Sequence, residues 1–199
     1  QPAYTRADVE RVFKQCSPQR YRQPFAIGEA GSVTFHDAGH ILGSAIVELT
    51  LQEQGREKRL VFSGDLGKKD SVLLFDPEVL TRADVVMMEG TYGDRDHRTL
   101  GNTLEQFEQV LSEAWERGGN VMIPAFAVGR TQELLFYLGQ LHQQGKLDNW
   151  EIFLASPMAF QVTRLYDRWL SQLDCEGAKG LCSGDQTLLR DFLPRLRLT

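Results

Sequence analysis

The sequence predicts a mixed α/β fold in two parts, because two different rhythms of hydrophobic residues follow one another along the chain. The first half carries short runs of β-branched and aromatic residues between glycine-containing turns, which is typical of an antiparallel sheet. From residue 85 onward, short strand-like runs alternate with longer helical stripes, which indicates βαβ units and a parallel sheet. Hydrophobic residues make up 42% of the 199 residues, so a sizeable core can form.

The first half begins with a predicted short helix. Thr5 is followed three residues later by Asp8, as in a capping box. Val9, Val12 and Phe13 then recur at helical spacing. Four strands rich in β-branched and aromatic side chains are predicted next. They occupy residues 25–27, 33–35, 45–51 and 60–62.

The second half is predicted to alternate strands and helices. In chain order these are a strand at 85–88, a helix at 103–117, a strand at 121–123, a helix at 130–144 and a strand at 152–155. A further helix is capped by Ser156 and carries Pro157 in its first turn, where proline is favoured. The polar, glycine-containing residues 93–101 are the best candidate for a domain boundary. Two helical stripes that face a core and not a cofactor are Leu104, Phe107, Leu111 and Ala114, and Leu134, Leu135, Leu138 and Leu141.

Composition and charge exclude several classes of protein. No run of about 18 apolar residues occurs, so a soluble protein without a membrane span is expected. The formal net charge of -5 argues against binding of nucleic acid over the whole protein surface through net positive charge. Any contact with nucleic acid must therefore be local. Cys16, Cys175 and Cys182 show no C-x-x-C spacing. This argues against a disulfide framework and a cysteine zinc site, and it predicts a reducing, cytoplasmic location.

Side chains that can bind a metal recur where predicted strands end. They are His36, Asp37 and His40 after the second predicted strand, Asp65 after the fourth, and Glu89 after the fifth. Strand ends place side chains around a common crevice, and histidine together with carboxylate suits zinc. Each residue also has a plainer interpretation as a solvated turn residue, and Asp65 could simply form an Asx turn.

A second candidate site lies between the strand at 121–123 and the helix that follows it. Gly129, Arg130 and Thr131 start this helix, where backbone N–H groups and a positive helix end could face a phosphate. An ordinary strand-to-helix turn, with Gly129 for backbone freedom, explains the same residues. Ser156 and Pro157 have the same placement without a cation, which favours capping alone.

Several motifs, in matching order along most of the chain, resemble those of one family. Residues 38–45 (AGHILGSA) and 63–67 (SGDLG) resemble the third and fourth metal motifs of the β-CASP nucleases of the metallo-β-lactamase superfamily. Residues 88–95 (MEGTYGDR) are similar to the acidic motif that closes the first metallo-β-lactamase stretch. Residues 124–134 (PAFAVGRTQEL) and 156–159 (SPMA) resemble segments of the inserted β-CASP domain. Linked motifs in order are far more specific than any one of them.

The resemblance implies a fold and a domain organisation. Residues 1–92 would be the C-terminal part of the first segment of a metallo-β-lactamase αββα sandwich. Residues 93–199 would be a β-CASP domain of βαβ type with a parallel sheet, and both domains would be incomplete. Ile41 and Leu42 stand where the DNA-processing branch typically has Cys-Pro, which favours the RNA-processing branch of bacterial RNases and the mRNA 3′-end endonuclease.

The resemblance also implies the activity of a zinc-dependent ribonuclease. His40 would ligate one zinc and Asp65 would bridge two, and the metals would activate a water that attacks an RNA phosphodiester. Glu89 would not bind metal but would hydrogen-bond a later histidine that acts as a general acid. His36 and Asp37 would be turn residues or supports behind the ligands. The expected partners are RNA and, for protein contacts, a second copy or a homologous subunit.

Parts of the family pattern are absent from these residues. The His-x-His-x-Asp-His signature does not occur, and the histidines are His36, His40, His97 and His142. Two later histidine motifs are missing as well. One imidazole and one bridging carboxylate fall short of the three or four ligands of a zinc site. The chain is therefore expected to be an internal piece of a longer enzyme, inactive alone, with zinc absent or weakly bound.

Two other functions stay open at this point. A metallo-β-lactamase-fold hydrolase of small esters or thioesters would lack the β-CASP-like residues 124–134. A catalytically degenerate subunit that binds RNA or an active homologue would not need His40, Asp65 and Glu89, all of which are retained.

Overall fold

The structure is a computed structural model that describes residues 3–29, 31–95, 99–169, 173 and 196–198. It confirms the mixed α/β fold that the sequence predicts. The helices in these residues are α1 (Arg6–Gln15), α2 (Leu100–Glu116), α3 (Arg130–Gln143) and α4 (Pro157–Arg168). The strands are β1 (Phe25–Ile27), β2 (Gly31–Asp37), β3 (Ala45–Glu53), β4 (Arg56–Phe62), β5 (Val85–Met87), β6 (Ile152–Leu154) and β7 (Leu196–Leu198). None of the helices in these ranges is long and apolar enough to cross a membrane.

Five strands form one sheet in the order β1-β2-β3-β4-β5. The first four pair antiparallel, which confirms the predicted antiparallel sheet. Gln54 and Gly55 join β3 to β4 with φ values of 50° and 76°, and a two-residue turn of this kind matches the twist of a hairpin. The alternation of side chains along the strands buries Ile46 and Val61 on one face and Val33 on the other.

Strand β5 joins this sheet and does not start the second half, although the rhythm of the sequence groups it with the later strand–helix units. It pairs in parallel with the last three residues of β4. Parallel pairing brings the carboxyl ends of both strands to the same edge of the sheet. The N–H of Ser63 donates to the carbonyl of Met87 at 2.9 Å and extends this pairing past β4. The candidate site lies at this edge.

Helix α1 begins at the predicted capping box. The N–H of Thr5 donates to the Asp8 carboxylate at 2.8 Å, and an acidic group in the first turn also suits the helix dipole. None of the residues of α1 is buried. Its formation therefore depends on local capping and not on contacts with the core.

The helices of the second half begin at capping residues. Ser156 caps α4, because its Oγ accepts a hydrogen bond from the N–H of Ala159 at 3.2 Å. Helix α3 begins at the predicted residue. Helix α2 begins before the predicted residue 103, because Thr99 is its N-cap and accepts a hydrogen bond from the N–H of Asn102 at 3.4 Å.

The prediction of a strand at residues 121–123 is wrong for this structure. Met122 is 92% exposed, and none of the described strands pairs with this segment. A strand needs a neighbour for its backbone hydrogen bonds, and β6 pairs in parallel with β7 instead. The β propensity of these residues is therefore not sufficient to form a strand here.

The main core lies between the helices of the second half and a segment of the first half. Its buried members are Leu73, Leu111, Leu135, Phe136, Leu138, Leu147, Tyr166 and Leu173. Leu111, Leu135 and Leu138 belong to the predicted helical stripes, which confirms their role in packing. Leu73 comes from the first half, and the partly buried Leu42 packs against the same cluster. Core packing thus joins the two halves beside the candidate site.

Candidate metal site and its supports

Residues 38–44 form a loop after β2, called here the histidine loop, that presents His40. Ser44 closes this loop, because its Oγ accepts hydrogen bonds from the N–H groups of His40 at 3.1 Å and Ile41 at 3.2 Å. The hydroxyl of Tyr21 donates to the carbonyl of Ser44 at 2.7 Å. Ser44 has no predicted role, although a serine near a turn is a common partner of backbone groups.

His40 and Asp65 come together at the edge of the sheet. Nε2 of His40 lies 3.9 Å from Oδ2 of Asp65. Zinc binds imidazole nitrogen and carboxylate oxygen at about 2.0–2.2 Å, so two such donors at this separation can share one ion. The side chains are 42% and 76% exposed, so an ion or a substrate in solution can reach both.

The pair is an incomplete ligand set. Among the residues that the structure describes, no group of three or more His, Cys, Asp or Glu side chains could hold a metal ion. Zinc sites use three or four protein ligands. His40 and Asp65 therefore fit zinc as two of its donors, and a complete site needs further ligands.

Two glycines allow the histidine loop and the loop of Asp65 to stack backbone against backbone. The N–H of Gly67 donates to the carbonyl of Ala38 at 2.8 Å. A Cβ on Gly67 would lie 1.8 Å from the carbonyl oxygen of Gly39. Gly39 itself has a φ of +61°, and its Cβ would lie 2.5 Å from the carbonyl oxygen of Phe75. The closeness of the two loops therefore requires glycine at position 67, whereas glycine at position 39 is required by the positive φ and by the close approach of Phe75.

Glu89 supports the loop of Asp65 from the end of β5. Its Oε1 accepts a hydrogen bond from the N–H of Leu66 at 2.6 Å, and its own N–H donates to Oγ of Ser63 at 3.0 Å. The hydrogen bond from the Leu66 N–H, followed by that of the Thr91 hydroxyl, holds the pKa of the Glu89 carboxyl below its usual value. Glu89 is thus an ionised acceptor at neutral pH. The buried Ser63 is a support that has no predicted role.

His36 and Asp37, the other polar residues predicted in this stretch, belong to β2. His36 is only 8% exposed, and its Nδ1 and Nε2 lie 2.9 Å from Oε1 of Glu78 and 2.8 Å from Oε2 of Glu48. Oδ1 of Asp37 accepts the N–H of Gly39 at 2.8 Å. Burial raises the pKa of the Asp37 carboxyl, and this hydrogen bond opposes the rise. Both ring nitrogens of His36 face carboxylates, so its place in the structure is that of a support.

The start of α3 lies beside the histidine loop. A Cβ on Gly129, whose φ is +80°, would lie 3.0 Å from Cγ2 of Ile41. The N–H of Gly129 donates to Oε1 of Gln132 at 2.8 Å, and the N–H of Arg130 donates to the carbonyl of Val128 at 3.1 Å. These two backbone donors, which the sequence suggests for phosphate, are already bonded within the protein.

The side chains of Arg130 and Thr131 differ in their exposure. Thr131 is buried, and its hydroxyl donates to the carbonyl of Phe126 at 2.8 Å. The guanidinium of Arg130 is half-exposed and donates to the Glu133 carboxylate at 2.7 Å. Arg130 is therefore the member of the predicted phosphate set that a ligand in solution can reach.

Gln132 organises the start of α3 and ties it to α4. Its side chain is fully buried. Nε2 donates to Oγ1 of Thr163 at 3.0 Å and to the carbonyl of Ala127 at 3.2 Å, while Oε1 accepts the N–H of Gly129. A glutamine three residues after the cap is a sequence signal for this arrangement, and Gln132 has no predicted role in the site.

We expect Gln132→Met to lower the free energy of unfolding by about 1–3 kcal/mol, because an apolar side chain of similar size leaves buried polar partners unpaired. Chemical denaturation of the whole protein measures this change. Gln140→Met, at a partly exposed position of the same helix, is the matched control and should change stability by less than about 0.5 kcal/mol. Equal losses at the two positions would contradict this role of Gln132.

Helix α4 also contacts the histidine loop. The N–H of Leu42 donates to the hydroxyl oxygen of Tyr166 at 3.4 Å. Tyr166 is buried in the main core, and burial raises the pKa of its phenol. The loop that carries His40 is therefore held both by the sheet and by the helices of the second half.

Acid is expected to weaken the support of the histidine loop through Glu78. Burial acts to raise the pKa of Glu78, but the hydrogen bonds from His36 and Arg22 outweigh it and hold the pKa below the ordinary value of 4.5. A lowered pKa in the folded state contributes stability above the unfolded-state pKa, and this stability is lost as the pH falls through the folded-state value. We therefore expect the free energy of unfolding of the whole protein to fall below about pH 4.5.

Denaturation between about pH 3 and pH 7 measures this loss, and Glu78→Gln should flatten the acid part of the profile. The pKa of Asp37 is shifted in the opposite direction. The dependence of wild-type stability on pH therefore combines the contributions of both carboxyls, and comparison with Glu78→Gln isolates that of Glu78. Glu57→Gln, which removes a more exposed carboxylate paired with Arg59, is the control. An acid slope that is the same in wild type and Glu78→Gln would disprove the prediction.

The chain is similar in sequence to a protein-family model and to several known proteins. The family model described as Beta-Casp domain matches residues 131–192. The chain is 41% identical over 169 residues to a ribonuclease of Thermus thermophilus, a match that covers 84% of the chain and 37% of that protein. It is 32% identical over 174 residues to an RNase J-like protein of Methanocaldococcus jannaschii, covering 85% of the chain and 40% of that protein. It is 31% identical over 201 residues to the transcription termination factor FttA of the same organism, covering 98% of the chain and 31% of that protein. The chain thus spans at most 40% of the length of these relatives.

Proposed function

This chain is a relative of the β-CASP nucleases of the metallo-β-lactamase family, and on that premise we propose that the whole protein is a zinc-dependent ribonuclease. The observation that carries the proposal is the separation of 3.9 Å between Nε2 of His40 and Oδ2 of Asp65. Glu89 is hydrogen-bonded to the same loop as Asp65. Two relatives are named ribonuclease and RNase J-like protein, which supports RNA phosphodiester bonds as the substrate.

We assign His40 and Asp65 to the metal: the imidazole of His40 would hold one zinc ion, and the carboxylate of Asp65 would be shared by two. Zinc, when bound, supplies Lewis-acid activation of water and neutralises charge that develops on the phosphate. The stacked backbones at Gly39 and Gly67 hold the two donors at their separation. The exposure of the Asp65 carboxylate leaves it open toward solvent, where ion and substrate enter.

Glu89 is proposed to act on a proton and not on the metal. Its lowered pKa keeps the carboxylate ionised at neutral pH. An ionised carboxylate accepts several hydrogen bonds, so Glu89 can hold a histidine imidazole in addition to the N–H of Leu66. Such a histidine would be oriented to protonate the departing ribose oxygen.

The contact with RNA is proposed to be local, because the net charge of -5 does not favour binding over the whole surface. Of the predicted phosphate residues Gly129, Arg130 and Thr131, Arg130 is assigned to a phosphate, because its guanidinium is half-exposed. Residues 1–92 are assigned to the metallo-β-lactamase domain and residues 93–199 to the β-CASP domain. A cytoplasmic location, and a second copy or a homologous subunit as protein partner, complete the proposal.

Cleavage assays with the whole protein test the proposal. Labelled single-stranded RNA, a small ester and a thioester are each incubated with zinc-loaded protein, with chelator-treated protein, and with treated protein after zinc is returned. We expect cleavage of RNA alone, its loss with the chelator, and its recovery with zinc. Turnover of the ester or thioester without RNA cleavage would establish the small-substrate hydrolase instead. RNA binding without turnover of any substrate would establish a degenerate RNA-binding subunit.

A further inference from the structure

A cluster of polar and charged side chains centred on the buried His36 lies behind the histidine loop, and the proposed ribonuclease chemistry does not use it. His36 projects from β2 with its ring nitrogens 2.8 Å from Glu48 of β3 and 2.9 Å from Glu78. Arg59 lies 3.4 Å from Glu48, and Arg22 lies 2.8 Å from Glu78. These five residues are called here the His36 cluster.

The imidazole is the centre of the His36 cluster. Each ring nitrogen lies within hydrogen-bond distance of one carboxylate oxygen, Nδ1 near that of Glu78 and Nε2 near that of Glu48. The side chains of His36, Glu48 and Glu78 are only 10%, 12% and 23% exposed, so water screens their interactions weakly, and loss of the imidazole would leave both carboxylates without this partner. The imidazole therefore fixes the places of both carboxylates, and not only their charges.

Glu78 connects the His36 cluster to the histidine loop. Its N–H donates to the carbonyl of Asp37 at 2.9 Å, so its segment runs beside the end of β2. The carbonyl of Phe75 and the ring of Pro77 close over Gly39, at 2.5 Å and 3.0 Å from the place where its Cβ would lie. Residues 75–78, which Glu78 holds in place, therefore pack against the histidine loop at Gly39.

We propose that His36 is a positioning residue for His40. By holding Glu78, the imidazole fixes residues 75–78 against Gly39, and this contact sets the position from which the histidine loop presents His40. Glu48 belongs to β3 and holds the imidazole from the side of the sheet, so the two carboxylates have unequal effects on the loop. The inference deepens the proposed function, and it rests on that function for the identity of the metal.

Variants of the whole protein separate positioning from general stability. They are His36→Gln, Glu78→Gln and Glu48→Gln, with Glu57→Gln as the control for loss of a carboxylate that contacts Arg59 but not the imidazole. One readout is hydrogen exchange at the Gly39 amide relative to the amides of β3, and thermal unfolding accompanies it. The other is affinity for zinc, measured by competition with a chromophoric chelator. Neither readout requires RNA cleavage, so a failure of the proposed ribonuclease activity is distinguishable from a failure of this inference.

We expect His36→Gln and Glu78→Gln to speed exchange at Gly39 by at least about tenfold and to weaken zinc binding by about 10–100-fold, the usual effect of losing a support of a metal ligand. Glu48→Gln should lower thermal stability but change exchange at Gly39 by less than about threefold. Glu57→Gln should change neither readout. Equal effects of Glu48→Gln and Glu78→Gln on Gly39, or unchanged zinc affinity in every variant, would overturn the proposal. If the wild type binds no zinc, the proposed function fails, and the exchange comparison still decides whether His36 positions the loop.

Discussion

Asp65→Ala in the whole protein is expected to lower kcat/KM for RNA cleavage by roughly 1000-fold or more, about 4 kcal/mol of transition-state stabilisation. The carboxylate is proposed to bridge two zinc ions, and a methyl group can bind neither. Because Asp65 is 76% exposed, the change should have little effect on folding. Labelled RNA measures the rate, and elemental analysis of the purified variant measures the loss of zinc.

Asp84→Asn is the control for a change of carboxylate away from the site. Asp84 precedes β5, whereas Glu89 and the candidate site lie at the other end of this strand. Oδ2 of Asp84 accepts the N–H of Arg59 at 2.8 Å, and an asparagine oxygen can accept the same bond. Its kcat/KM should stay within about threefold of wild type. Normal turnover by Asp65→Ala, or an equal loss of kcat/KM in both variants, would contradict the assignment of Asp65.

Gly67→Ala is expected to lower the free energy of unfolding by about 2–3 kcal/mol, a large value for one methyl group. The added Cβ would lie 1.8 Å from the carbonyl oxygen of Gly39, so the backbones of the two loops must separate. Their separation also moves His40 away from Asp65, and zinc binding should weaken with stability. Chemical denaturation and zinc competition on the whole protein measure the two effects.

Gly101→Ala is the control for the same chemical change in open space. Gly101 lies within α2, and its Cβ would meet nothing within 4 Å. Alanine at this position, in the first turn of the helix, should change stability by less than about 0.5 kcal/mol, because its Cβ meets no other atom. A neutral or stabilising Gly67→Ala would show that the two loops do not need their close contact.

Local signals in the sequence predicted where helices begin. Thr5 with Asp8, and Ser156 with Pro157, act within a single helical turn and need no distant partner. Helix α1 shows this most clearly, because none of its residues is buried. The strand predicted at residues 121–123 is wrong, because a strand, unlike a capped helix, depends on a distant partner. A strand is stable only when a neighbour accepts and donates its backbone hydrogen bonds, and local composition does not specify that neighbour.

The exposed members of the candidate site could be predicted, but their supports could not. His40, Asp65 and Glu89 follow the ends of strands, so the order of elements already suggests a common edge. The roles of these residues remain predictions until the variants are measured. Glu78 is 42 residues from His36, and no periodicity or spacing in the sequence connects the two.

The sequence by itself determined the capped helix starts, because capping acts within a few residues, and its hydrophobic periodicity indicated the mixed α/β class and the polar residues at strand ends. The tertiary structure alone decided that β5 joins the first sheet, that Gly67 stacks on Gly39, and that His36 lies between Glu48 and Glu78. These contacts join segments 12 to 42 residues apart. Only the pairing of strands and the packing of loops bring such segments together, and neither is written in the local pattern of residues.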